Sequence, residues 1–134
     1  MEPHSASPVR LIEEIDGIDR LEPLDAYQGQ LVGIVRAGLA AGADALDVTG
    51  AVADANDSLT RHLLGLAESH LGPPPCRYVW LALGSHGRRE QVISSDQDSA
   101  SAYGLTSPHD AAATDEYFAA LAALVVGALA RAGI

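Results

Sequence analysis

The chain contains no lysine. That excludes a phosphate-binding loop of the G-x-x-x-x-G-K type, whose chemistry needs an ammonium group at a fixed position. There is one cysteine, Cys76, so no internal disulfide can form, and a single thiol suits a reducing, cytoplasmic setting. Basic residues are scarce: eight arginines stand against eighteen acids, for a net charge of −10. Without a broad basic surface, a nucleic-acid backbone is disfavoured as the main partner. No run approaches the roughly 20 apolar residues of a membrane span, so no membrane partner is expected. Residues 1–10, with Glu2, Pro3, His4 and Pro8, lack the apolar core of a signal peptide.

What remains is a chain of 134 residues, 48% hydrophobic and 19% charged, which reads as one globular domain with a modest core. Residues 1–9 read as a flexible tail. Leu11, Ile12, Ile15 and Ile18 recur at helical spacing. A second helix is predicted over 24–41, with Leu31, Val32, Ile34, Val35 and Leu39 on its apolar face. A third is predicted over 46–70, with a bend or break at Asn56-Asp57-Ser58, which are poor helix formers. Gly72-Pro73-Pro74-Pro75 is the strongest punctuation in the chain. It divides a helical lead-in (10–72) from a mixed second part (73–134).

In that second part, Tyr78-Val79-Trp80-Leu81-Ala82-Leu83 reads as a buried strand, with Trp80 in the core. Residues 87–92 read as a helical turn or two, and 98–103 as a weaker strand carrying Ser99 and Ser101. A turn at Thr106-Ser107-Pro108 precedes a long helix over 110–132 that Gly133 caps. The predicted fold class is therefore α+β, with four helices and two strands. Two strands alone are rarely stable, so the sequence is expected to be part of a longer domain, ending before a third strand.

The residues that carry chemistry lie between the two strands. Gly84-Ser85 follows the first, and Asp96 and Asp98 stand two apart at the start of the second. A glycine lets the backbone approach a phosphate, and serine offers a hydroxyl and an N–H. Two carboxylates at i and i+2 on a strand point the same way and suit a hard cation such as Mg²⁺. A helix starting near Gly87 would turn its positive end toward the phosphates. Arg88 and Arg89 are candidate charged donors to a triphosphate, although one of them could instead pair with Glu90 or Asp96 as a structural ion pair. His86 reads as an exposed loop residue. His4, His62, His70 and His109 show no metal-ligand spacing. Asp110, Asp115 and Glu116 are expected to complement the N-terminal dipole of the last helix.

The string Trp80-Leu81-Ala82-Leu83-Gly84-Ser85-His86-Gly87-Arg88-Arg89-Glu90-Gln91, with Ser95-Asp96-Gln97-Asp98, resembles the DUF294 nucleotidyltransferase family. That family is akin to the N-terminal domain of protein-PII uridylyltransferase and belongs to the superfamily related to DNA polymerase beta. Asn56-Asp57-Ser58-Leu59-Thr60-Arg61 resembles the family's usual lead-in. The resemblance implies a partial nucleotidyltransferase fold, a short sheet packed by helices. It implies transfer of a nucleotidyl group, such as UMP, from a nucleoside triphosphate to a protein or small acceptor in bacterial signalling. By the resemblance Asp96 and Asp98 are catalytic metal ligands for two Mg²⁺ ions, and Gly84, Ser85, Arg88 and Arg89 bind nucleotide. Ser99 and Ser101 make the second strand more polar than the family's pattern. A third carboxylate, which the superfamily carries on a later strand, has no good substitute here. The rival reading is a non-catalytic nucleotide-binding or helical module, with residues 10–70 serving homo-oligomerisation or docking.

Overall fold

A computed structural model describes residues 7–21, 24–93, 98–104, 107 and 110–134. Among these are five helices and a two-stranded antiparallel sheet: α1 (Pro8–Asp16), α2 (Tyr27–Ala40), α3 (Ala45–Leu71), β1 (Tyr78–Ala82), α4 (Gly84–Gly87), β2 (Ser99–Tyr103) and α5 (Ala111–Ala132). The protein is α+β, as the sequence predicted. The fifth helix is the short α4, which falls at 84–87 and not at 87–92.

α1 starts at Pro8, inside the segment read as tail. Proline at the first helical position has no N–H to satisfy and a backbone angle already set for a helix. α1 buries Leu11 and Ile15, and α2 buries Tyr27, Leu31 and Ile34. Leu39, expected on the buried face of α2, is exposed: in this last turn it is Gly38 that meets Val48 of α3.

α3 is the spine, packed against α1, α2 and α5. Asp44 caps it by accepting from the Leu46 N–H at 2.8 Å, and Gly72 ends it at φ +91°, a conformation that favours glycine. Val52, Ala55, Leu59, Leu63 and Ala67 lie fully buried along it. The helix runs unbroken through Asn56-Asp57-Ser58, so the expected break does not occur. Weak propensity there is overridden by tertiary bonds: Asn56 and Asp57 are both held by partners outside the helix.

β1 and β2 pair in register from Tyr78↔Tyr103 to Ala82↔Ser99. The expectation of a buried β1 holds for one face only. Tyr78 and Trp80 pack on the helical core, whereas Val79 and Leu81 are exposed, because the helices cover only one side of the sheet. Successive residues point to opposite faces, so Ser99 and Ser101 lie on the helix side, while Ala100 and Ala102 join Val79 and Leu81 outside.

α5 closes the core with Phe118, Leu121, Val125, Ala128, Leu129 and Ala132, and Gly133 caps it in the left-handed conformation, as predicted. Phe118, the chain's one phenylalanine, ties this helix to both strands. Its ring stacks on Tyr103 at 4.2 Å, lies 5.2 Å from Tyr78 and meets Tyr117 edge-on at 5.3 Å. The Tyr103 hydroxyl donates to Asp115 at 2.6 Å, and that of Tyr117 to the Gly72 carbonyl at 2.6 Å. By length and composition α5 is long and apolar enough to cross a bilayer, which corrects the reading that no segment approaches that threshold; here one of its faces is packed against α3.

Leu63 is fully buried, so Leu63→Ala should cost about 2–5 kcal/mol, measured by urea unfolding. Burial, and then the charge of Asp57, push the Tyr27 phenol well above its ordinary value. In the unfolded chain tyrosine ionises at about pH 10. Stability from this group is therefore complete below that pH and is lost as pH rises past it. Tyr27→Phe should unfold more easily at neutral pH, leaving the Asn56 acceptor unpaired, and lose less stability between neutral and alkaline pH. Urea midpoints taken below and above pH ~10 check both effects.

Candidate functional site

After Ala82 the chain stays extended at Leu83 (φ −117°, ψ 170°) and then turns sharply into α4. Gly84 makes the turn at φ +58°, a left-handed conformation that a side chain would strain. The Gly87 N–H donates to the Leu83 carbonyl at 3.2 Å, Arg88 N–H to Gly84 at 3.2 Å, and Glu90 N–H to Ser85 at 2.9 Å. A helix beginning at Gly87 was expected; instead the helical turn begins at Gly84 and closes at Gly87. The turn folds back onto the end of β1 so closely that a Cβ on Gly87 would lie 2.7 Å from the Ala82 carbonyl oxygen. The first N–H groups of the turn, at Gly84 and Ser85, have no acceptor within it.

Asp98 meets this turn from the other strand. Its carbonyl accepts from the Leu83 N–H at 2.8 Å, extending the ladder one residue past Ala82↔Ser99. One carboxylate oxygen lies 3.2 Å from where a Gly84 Cβ would be. Asp98 is exposed, and its carboxylate stands against the bare glycine. Asp96 lies outside the described residues. Among the described residues, no group of three or more His, Cys, Asp or Glu side chains gathers into a metal site. The donor at hand still suits a hard cation: an exposed carboxylate oxygen, with space left by the missing Cβ.

The two arginines do different things. Arg88 pairs with Glu90 at 2.9 Å, both side chains being well exposed. Arg89 is held in the left-handed region at φ 59° and turns back onto α3, where it bonds Asp54 at 2.6 Å and the Gly50 carbonyl at 3.4 Å and lies 3.8 Å from Asp57. The bond to Asp54, then its charge, raise the guanidinium pKa above its ordinary value.

His86 is buried, with Nε2 2.7 Å from a carboxylate oxygen of Asp57, which corrects the reading of an exposed loop residue. Gln91 is buried too. Its side-chain oxygen accepts from the Asn56 amide at 2.9 Å, and the Asn56 oxygen accepts from the Tyr27 hydroxyl at 2.8 Å. Sequence reasoning did not place Tyr27, Asp54, Asn56 or Asp57 at the site. The available signal was a polar cluster in the middle of an apolar helix, which a folded core tolerates only when each group has a partner.

A hollow of about 690 Å³ lies at the opposite end of the sheet, lined by Cys76, Arg77, Tyr78, Val79 and Tyr103. It has neither the glycine turn nor a carboxylate.

A family model described as Putative nucleotidyltransferase DUF294 matches residues 29–134. The match takes in most of α2, all of α3, both strands, the α4 turn and α5. No curated protein and no solved structure matches the chain.

Gly87→Ala should lower stability by about 1–3 kcal/mol, because backbone and not a mobile side chain blocks the new methyl group. Gly84→Ala, strained in φ but 3.2 Å from a side-chain atom that can move, should cost about 1 kcal/mol. Urea unfolding of the two variants checks that order.

Proposed function

Because the chain belongs to the DUF294 nucleotidyltransferase family, we propose that it binds a nucleoside triphosphate where Gly84 and Asp98 meet. It then transfers the nucleotidyl group to a protein or small acceptor, in the manner of a uridylyltransferase. One observation carries this reading: the two halves of the motif, fourteen residues apart, converge until the Asp98 carboxylate lies 3.2 Å from the vacant Cβ position of Gly84.

The residues have separable tasks. Gly84 lets the phosphates approach the main chain, and the Gly84 and Ser85 N–H groups donate to their oxygens. The Ser85 hydroxyl adds a further donor. Arg88 supplies positive charge to the triphosphate; its exposed pair with Glu90, worth roughly 0–1 kcal/mol, is easily exchanged for phosphate. Arg89, tied to Asp54 and Gly50, holds the turn. Asp98, with Asp96, would hold Mg²⁺, two ions by family resemblance, whose charge offsets that of the triphosphate and the departing pyrophosphate. In the transfer an acceptor oxygen bonds to the α-phosphorus as its proton passes to a base. The bond from that phosphorus to the bridging oxygen breaks, and pyrophosphate leaves with the electron pair.

Titration calorimetry with Mg²⁺ and each of UTP, ATP, CTP and GTP tests the reading, followed by a pyrophosphate-release assay with acceptor candidates. Wild-type protein should bind at least one nucleotide, and Asp98→Ala and Asp96→Ala should each weaken binding by about tenfold or more. Binding without pyrophosphate release would favour the non-catalytic nucleotide-binding reading. No binding by the wild type to any of the four would overturn both.

A further inference from the structure

One helical turn of α3 carries three side chains that reach the glycine turn and the segment after it. Asp54 bonds Arg89 at 2.6 Å, Asn56 bonds Gln91 at 2.9 Å, and Asp57 lies 2.7 Å from His86 Nε2. The contacts are not equivalent. The Arg89 pair is exposed, whereas His86, Gln91 and Asn56 are buried, with Asp57 half-buried. His86 is also the buried residue of a turn in which Gly84 and Gly87 are exposed and Ser85 is half-buried.

We infer that Asp57 and Asn56 are positioning residues for the phosphate-binding turn: they hold His86 and Gln91 so that the Gly84 and Ser85 N–H groups and the Asp98 carboxylate keep a common geometry. The inference rests on the nucleotide reading above. Its physical basis is that the turn cannot hold itself. It is one short helical turn, flanked by left-handed residues at Gly84 and Arg89, and the second of these is strained in a non-glycine residue. Such a conformation persists only where its surroundings over-determine it, and α3 supplies those surroundings from outside. Asn56 is in turn fixed by the Tyr27 hydroxyl, so α2 also acts on the turn through one buried amide. A displacement of about 1 Å at a reacting centre can cost about a hundredfold in rate, so loss of this bracing should reach the site while leaving the core intact.

The test uses the full chain, isotope-labelled for backbone amide NMR, as wild type, Asp57→Ala, Asp57→Asn and His86→Ala. Asp57→Ala should shift or broaden the amide resonances from Gly84 to Arg89 and leave those of Leu121 and Val125 in α5 unchanged. It should also weaken Mg²⁺–UTP binding by about tenfold or more. Asp57→Asn keeps an oxygen acceptor for His86 and should recover most of both losses. If Asp57→Ala does not fold, His86→Ala breaks the same contact from the turn side and is held to the same expectation. Wild-type resonances and wild-type affinity in the variant that removes the contact would overturn the inference. If the wild type binds no nucleotide, the functional reading fails, and the turn resonances alone still decide whether α3 positions the turn.

Discussion

The side-chain amide of Asn56 sits in the middle of the chain's longest helix, buried where water cannot reach it. A buried amide without partners costs more than the helix gains from the residue, so the surroundings must supply them. They come from two directions: the Tyr27 hydroxyl on α2 and Gln91 beyond the glycine turn. Satisfying one side chain therefore fixes where α2 crosses α3 and where the chain must return after β1. Apolar side chains such as Leu59, Leu63 and Leu121 could slide past one another by small steps at little cost. A hydrogen-bonded amide cannot, because its bonds are short and directional. Register between the helical part and the turn follows from it.

Around that point the helices and strands share one core. The buried cluster draws on α1, α2, α3 and α5, and Tyr78 and Trp80 of β1 pack against it. The second contact between helices and sheet is aromatic. Phe118 touches Tyr78, Tyr103 and Tyr117, so three of the four tyrosines gather on the single phenylalanine. Asn56 fixes Gln91, beyond the turn that follows β1, and Phe118 grips the far end of the sheet, where Tyr78 pairs with Tyr103. A two-stranded sheet has little stability of its own; here one face of it, through Tyr78 and Trp80, packs on the helical core.

Much of this was legible in the sequence, and what was not has physical causes. Helical spacing gave α1, α2, α3 and α5, and Gly72 and Gly133 marked two of their ends because only glycine takes positive φ without strain. Gly84 and Asp98 were legible as two halves of one motif, and the fold brings them together. Periodicity could not tell that Val79 and Leu81 face outward, because an apolar run looks the same whether one face or two are covered. Propensity misjudged Asn56-Asp57-Ser58, since it counts what a residue costs a helix and not what partners thirty residues away return. His86 was misread for the same reason: nothing near it in sequence announces Asp57, which lies 29 positions upstream.

The outward face of the sheet has a colloidal consequence. Val79, Leu81 and Leu83 are exposed beside Ala100 and Ala102, an apolar patch on a molecule with a net charge of −10. Copies of the chain that approach through this face must first overcome mutual repulsion. That repulsion reaches about 8 Å at physiological ionic strength and about 3 Å in molar salt. Salt therefore leaves the patch as sticky as before and removes the barrier that keeps two patches apart. Concentrated stocks are best kept at low ionic strength and away from the acidic pH at which the carboxylates lose their charge.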